Sequence, residues 1–476
     1  MSRSFAPFVC SLGLVFAACG GDDGGSAVDA APGSDGAAGD AAGALAQTVY
    51  VAHEGSLSSY DLATGEERPG AITNVTGPVD LQALASGKLL VNLTGRNEIL
   101  IFDGTTMLED ARLSSSAGTA TRPVHSYLTP ERAGHQYWIT MNDGADGEAP
   151  TNSARFIDVM PGSATYLQAV GEVPLGIGHH KAAFSTTRDR VVISNIADCD
   201  SVMAVYDYSD IANIQVVATL TAEQAGWDGS SFPRTCDPTY TTGLPPAPHG
   251  CATSTASGKA YCNVTTSGEV FVVDLDAATP TFTPIATQGA GGGYTRMHPA
   301  GRHIYTLGET PREGDGGATC QVGILTTIDA QTDTVVDTLP LGYTGPGCTQ
   351  VLTGTDEETA NPGHLQIAGN RMLIALGGGF MVGDARTRQE VVIDLTDPAN
   401  PVQEASLAIG ATTSHRGDTL AGDGRSYITA NTIDGTLSVI DMTTLDVRTI
   451  TTSAMPLTVA TFGSAEGPSH QTGPHD

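Results

Sequence analysis

An aromatic or aliphatic residue followed by aspartate, closing a strand-length apolar run, recurs along most of the chain. The pairs are Tyr60-Asp61, Phe102-Asp103, Ile157-Asp158, Tyr206-Asp207, Val273-Asp274, Ile328-Asp329, Ile393-Asp394 and Ile440-Asp441. Turn-rich sequence follows each, such as Leu62-Ala63-Thr64-Gly65 or Leu395-Thr396-Asp397-Pro398. The intervals run from about 40 to 67 residues, and upstream of most lies a partner run such as Leu89-Leu90-Val91 or Val191-Val192-Ile193. Short apolar runs separated by Ser, Gly and Asp turns predict a four-stranded meander rather than a helix. The clearest copy runs from Pro248-His249-Gly250-Cys251 to Val272-Val273-Asp274. Such a unit, repeated radially, makes a β-propeller.

Eight Asp-ended units predict an all-β chain folded as a single β-propeller of eight four-stranded blades over residues 46–465. Seven blades is the alternative, if one unit is a decoration. The first copy starts directly at Thr48-Val49-Tyr50, and a spare run, Leu457-Thr458-Val459-Ala460-Thr461, follows the last. That spare strand is expected to complete the first blade and remove its open edge. With 58 glycines and 5% aromatic residues, the composition suits many turns and little helix. Ser438-Val439-Ile440-Asp441, after Asp423-Gly424-Arg425 and Ala430-Asn431, resembles the YVTN-type propeller repeat of bacterial surface proteins. The resemblance spans about 46–465 and is best at 247–276 and 411–445.

Ahead of the repeats, Arg3 and an apolar run from Phe8 to Ala18 read as a secretory signal over residues 1–18, too short to span a bilayer. Phe16-Ala17-Ala18-Cys19 resembles a bacterial lipobox, although Phe16 stands where an aliphatic residue is usual. The resemblance implies lipidation of Cys19, an exported protein, and an outer-membrane or cell-surface lipoprotein. Residues 19–45 are almost entirely Gly, Ala, Asp and Ser and cannot bury a core, so a disordered tether is expected. The tail, 466–476, is expected to be disordered as well.

The formal net charge of −30 argues against nucleic acid and anionic lipid surfaces as partners. Only three lysines occur, Lys88, Lys181 and Lys259, which reads as solvation rather than a site. Beyond Cys10 and Cys19, six cysteines remain, an even number that suggests disulfides in an exported chain. Cys251 and Cys262 would face each other across a hairpin. Elimination then leaves Cys199–Cys236 and Cys320–Cys348.

The histidines carry the functional signal. His249 lies ten residues before Lys259, His415 ten before Arg425, and His180 ten before Arg190 with His179 beside it. His125 lies eleven before Gln136, and His364 seven before Arg371. Five blades therefore bring a histidine to the start of the first strand, which in a propeller lines the central channel. Residues far apart in sequence would converge on one mouth of that channel. Neutral imidazole is the commonest metal ligand, and a thiolate-free, imidazole-rich set suits copper, zinc or iron. Blades 2 and 6 place Asp80 and the region of Tyr294 to Arg296 there instead. Asp80 is read as a further ligand or as an acceptor for an imidazole N–H.

Gly178-His179-His180 and Pro248-His249-Gly250 make the pattern similar to the propeller of nitrous oxide reductase, whose copper cluster is held by histidines at such positions. The resemblance implies metal binding, probed first as copper, at His125, His180, His249, His364 and His415. Nothing in the chain resembles that enzyme's cupredoxin domain, so the reaction is not implied. Two functions follow as expectations. One is a metal-binding propeller for metal binding or small-molecule redox chemistry. The other is a non-enzymatic surface scaffold that meets a protein or glycan partner through its inserts at 221–247, 309–321 and 343–362. His298 and His303 are expected as solvated turn residues, and His53 and His135 as positions without partners.

Overall fold

The computed structural model describes residue 45 and residues 47–144, 152–196, 198–226, 248–264, 268–288, 290–313, 319–344, 362–376, 387–412 and 417–463. The signal, Cys19, the tether and the tail lie outside the described residues. What is described forms eight four-stranded antiparallel sheets in a ring, an eight-bladed propeller; the seven-bladed alternative is excluded. Among the described residues no helix is long and apolar enough to cross a membrane.

Numbered in chain order, blades 2 to 8 each consist of four consecutive strands. Blade 1 takes its second, third and outermost strands from Thr48–His53, Gly55–Asp61 and Ile72–Val75, and its innermost from Pro456–Thr461. The C-terminal strand pairs antiparallel with the first one, Val49 opposite Thr461 and Val51 opposite Val459, with a register break at Leu457. The expected closure is therefore present.

The recurring aspartate ends the third strand of seven blades and follows it directly in blade 5. It has a local task. Its Oδ1 accepts amide protons two and three residues on, as Asp61 does from Ala63 and Thr64, Asp103 from Thr105 and Thr106, and Asp441 from Thr443 and Thr444. This Asx turn starts the reversal into the outermost strand.

Second and third strands are buried along their length, as in Lys88–Leu93 and Glu98–Asp103, because each sheet packs against a neighbouring blade on both faces. Outermost strands such as Glu109–Ser114 are largely exposed. Eight apolar clusters result, one at each blade–blade interface. The cluster holding Val49, Val51 and Val459 against Ile428 and Leu437 seals blade 8 to blade 1. Buried donors clasp neighbours across these interfaces. Tyr50 donates to Gly104 O at 2.7 Å, Tyr261 to Ala330 O at 3.1 Å and Tyr305 to Pro398 O at 2.8 Å.

The innermost strands abut one another in succession: Pro456–Thr461, Pro78–Ala83, Pro123–Leu128, His179–Phe184, Pro248–Thr253, Ala290–Met297, Pro362–Ala368 and Asp418–Leu420. Five of the eight open on proline, which suits a strand edge that faces an axis and needs no donor there.

Candidate functional site

The innermost strands of blades 1 to 7 all lose register near their starts, blade 1 at Leu457. In four of them two residues stand against one: Asp80-Leu81 against Val91, His180-Lys181 against Ser194, His249-Gly250 against Asn263, and Gly363-His364 against Ala375. In blade 3 Val124 is the extra residue, just before His125, and in blade 6 the irregularity spans residues 292–294. A β-bulge releases its amides from the ladder and re-aims its side chains. Second-strand side chains take up the released amides: Ser194 Oγ accepts from Lys181 N at 2.9 Å, and Asn263 Oδ1 from Gly250 N at 2.7 Å.

Five of the sequence-predicted positions thus share one structural feature. His180, His249, His364 and Asp80 are bulge residues, and His125 follows one. His125 is buried and His249 half-buried. His179, His180 and His364 are placed by backbone on the innermost strands of blades 4 and 7, and His415 lies outside the described residues. Asp80 is fully buried with φ 52°, a left-handed backbone, and its Oδ2 accepts from Ser126 N of blade 3 at 2.7 Å. Among the described residues no three His, Cys, Asp or Glu side chains form a group that could hold a metal ion.

Beside these positions lies a second set, which sequence reasoning largely missed. Lys181, read above as a solvated lysine, is buried within the blade 4 bulge, its Nζ 4.1 Å from the centre of the Tyr294 ring of blade 6. One level is shared by Gln82, Tyr127, Arg296 and Gln366, each opposite the third residue of its second strand. Each leans onto the innermost strand of the next blade. Gln82 Nε2 donates to Ser126 O at 3.3 Å, Arg296 Nε to Leu365 O at 3.2 Å, and Gln366 Nε2 to Asp418 Oδ1 at 3.1 Å. Tyr127 bonds the backbone of Ala182.

The result is an axial ring of charge from alternate blades: Asp80 in blade 2, Lys181 in blade 4, Arg296 in blade 6 and Asp418 in blade 8. These groups feel one another. Burial pushes the Lys181 ammonium well below its ordinary pKa, against the pull of Asp80 and Asp418. Burial also raises Asp418 to about 6, against hydrogen bonds from Gln366 and Tyr427 and the charges of Arg296 and Lys181. Tyr127 and Tyr294 are raised by burial and by the nearby carboxylates. The only prior sign of this ring was the observation that blades 2 and 6 substitute Asp80 and the Tyr294 to Arg296 region for histidine.

Other histidines have local duties. His298 is buried, not solvated: its ring meets Tyr305 edge-on, and Nδ1 accepts from Ala300 N, closing its own turn. His53 is also buried and has partners, Ser58 Oγ at 2.7 Å and Met455 O at 3.1 Å, which tie blade 1 to its closing strand. His135 stacks on Tyr137 beside Asp189. Cys251 and Cys262 form the expected cross-strand disulfide, next to His249. Cys199 is also disulfide-bonded, while Cys236 and Cys348 lie outside the described residues. At the opposite end of blades 7 and 8, a cleft of about 380 Å³ is lined by Arg371, Glu404 and Arg425. Its cations are already paired, Arg371 with Glu404 and Arg425 with Asp441.

No family model matches the chain, and no curated protein matches it. Solved structures do. The Dos1 propeller shares 12% identity over 85% of this chain and 96% of that one, with a TM-score of 0.50. The Kuenenia stuttgartiensis hydrazine synthase shares 15% over 79% and 97%, with a TM-score of 0.48. Apo AztD from Citrobacter koseri shares 12% over 88% and 99%, with a TM-score of 0.39. At such identities the likeness is one of fold, and propellers serve unrelated functions.

Proposed function

We propose that this is an exported propeller, anchored by a lipid on Cys19, that holds a transition metal at one mouth of its channel. His125, His179, His180, His249, His364 and His415 are the ligand set, with Asp80 as an added ligand or an acceptor for an imidazole N–H. Copper is the first metal to test, ahead of zinc and iron. One observation carries the reading: the innermost strands of four blades break register where their histidines stand, at the same end of the ring. Bulges of this kind are where sheets commonly re-aim side chains toward a site.

Bound there, the metal would supply Lewis acidity or a redox couple to a small molecule in the channel mouth. The protein's own part is to fix the imidazoles on rigid strands and to keep the axis below them polar and buried. Elemental analysis of the soluble domain from about residue 45 tests the reading. Wild type should carry near-stoichiometric copper or zinc, and a His180→Ala/His249→Ala pair should lose it with its circular dichroism unchanged. Wild type that stays metal-free after reconstitution would overturn the metal site and leave the scaffold function, with the loops as the place to look.

A further inference from the structure

Blade 7 makes the tightest of the turns between innermost and second strands. Gly369-Asn370 alone joins the paired Ala368 and Arg371. In blade 4 the same turn runs from Ser185 to Arg190, and in blade 5 from Ser254 to Lys259. Those longer turns fill the joint to the next blade. Ser185 and Thr186 of blade 4 hydrogen-bond Asp276 of blade 5, and Lys259 of blade 5 bonds Asp333 of blade 6. Between blades 7 and 8 the short turn leaves space instead, and the cleft of about 380 Å³ lies there. That volume falls within the usual span of small-molecule sites, roughly 300–1,000 Å³.

The lining is polar, and its charges are internally paired. Arg371 donates from Nε to Glu404 at 2.8 Å and from one terminal nitrogen to Met442 O and Thr443 O of blade 8 at 2.6 and 2.7 Å. Arg425 is ion-paired with Asp441. No cation is left for an anion, and a chain of net charge −30 disfavours one further. Asp394 Oδ1 accepts from Thr396 N at 2.8 Å and from Thr396 Oγ1 at 2.6 Å, which leaves Oδ2 for a donor from outside. The exposed Asn370 and Thr443 add an amide and a hydroxyl to the rim. Met442, buried, supplies an apolar patch, and Gly369 and Gly424 leave open space where a Cβ would stand.

We propose that this cleft binds one neutral sugar residue, free or at the end of a glycan. Hydroxyls both donate and accept, so a sugar ring matches a lining of mixed groups without net demand for charge. Its C–H face suits Met442. An apolar ligand would strip water from Asp394 and Asn370 without replacing the lost hydrogen bonds, which is costly. The inference depends neither on the metal nor on the inserts between strands.

The test is calorimetric titration and saturation-transfer NMR of the EDTA-treated protein with methyl glycosides of glucose, galactose, mannose and N-acetylglucosamine. Glucuronate and ethanolamine are the charged references. At least one neutral glycoside should bind one-to-one, about tenfold or more tighter than either reference. Asn370→Ala, at an exposed turn position, should weaken that glycoside about tenfold, the value of one good hydrogen bond. Thr443→Trp should fill the cleft and remove binding, and both variants should keep the wild-type melting temperature. The His180→Ala/His249→Ala pair should bind the glycoside as wild type does, which separates this site from the metal reading. Tighter binding of the matching trisaccharide would identify a glycan end as the source, and equal binding a free sugar. Wild type that binds no glycoside, or binds a charged reference more tightly, would overturn the proposal. So would unchanged affinity in folded Asn370→Ala and Thr443→Trp.

Discussion

At the scale of single residues, the repeat that organises the sequence and the candidate site residues are different sets. The strand-ending aspartates are turn-formers whose charge is part of the bond. Asp158 shows it best: Oδ1 accepts from Met160 N at 2.9 Å, and Oδ2 from Thr165 Oγ1 at 2.6 Å and from Ser163 Oγ. Burial pushes its pKa up, yet those hydrogen bonds outweigh it, and the net direction is down from 3.8. A carboxyl held below its unfolded value stabilises the fold above that value, and the contribution is lost as pH falls through the folded one. Asp158→Asn should therefore cost up to about 1.5–3 kcal/mol at neutral pH, the range for hydrogen bonds to a charged group. The gap to wild type should narrow and close as pH falls below the ordinary carboxyl range and through the lower folded value, read as denaturant midpoints across a pH series. A gap that persists in acid would mean the side chain acts by shape alone. Arg302 beside Asp329 and Arg425 beside Asp441 hold two more of these carboxyls down, so the whole ring should lose stability on acidification. The histidines were legible because their spacing to the next turn fixes their level on the innermost strand. Lys181 was not, because one bulged residue decides whether a side chain belongs to the mouth or the axis, and spacing alone does not reveal it.

Among elements, the innermost strand is where regular pairing gives way and where the candidate site lies. The second and third strands pair without interruption, as in Lys88–Leu93 with Glu98–Asp103, while the innermost ladders of seven blades break at one end. Continuous apolar runs, buried on both faces, made the second and third strands easy to place. The innermost ones carry Pro, Gly, His and charge, which hides their strand character in the sequence. In blade 5 the bulge is followed at once by the Cys251–Cys262 disulfide, which joins residues directly opposite each other. That bond closes a loop of sequence separation 11, short enough that its removal should cost about 2–3 kcal/mol. A Cys251→Ala/Cys262→Ala variant should unfold at correspondingly lower denaturant, and it should loosen His249 more than His125. Metal content or imidazole NMR signals that change equally at both histidines would show that the disulfide does not act locally.

For the whole molecule the decisive element is the last strand. The sequence betrayed it twice, by a first repeat with no innermost strand and by a spare apolar run after the final one. What it left open was the choice between seven and eight blades, because inserts of variable length stretch the repeat without changing the blade count. Without Pro456–Thr461, Thr48–His53 would become an open edge of six residues, and the Val49, Val51, Ile428 and Leu437 cluster would lose Val459. His53 would lose Met455 O if the cut fell before it, and Thr461 Oγ1 its bond to Leu420 O in blade 8. Exposed edges of this kind pair with other chains. Truncation after Ala454 should therefore give a protein that elutes as oligomers or aggregates and unfolds without a sharp transition, against a monomeric, cooperative wild type on size exclusion and in thermal melts. Blade-to-blade contact passes around the ring in series, so opening one joint should also widen the axis. The burial that shifts Lys181 and Asp418 would then weaken, and both would titrate closer to their values in water. A truncated chain that stays monomeric and keeps its melting temperature would mean that seven complete blades suffice to hold the eighth.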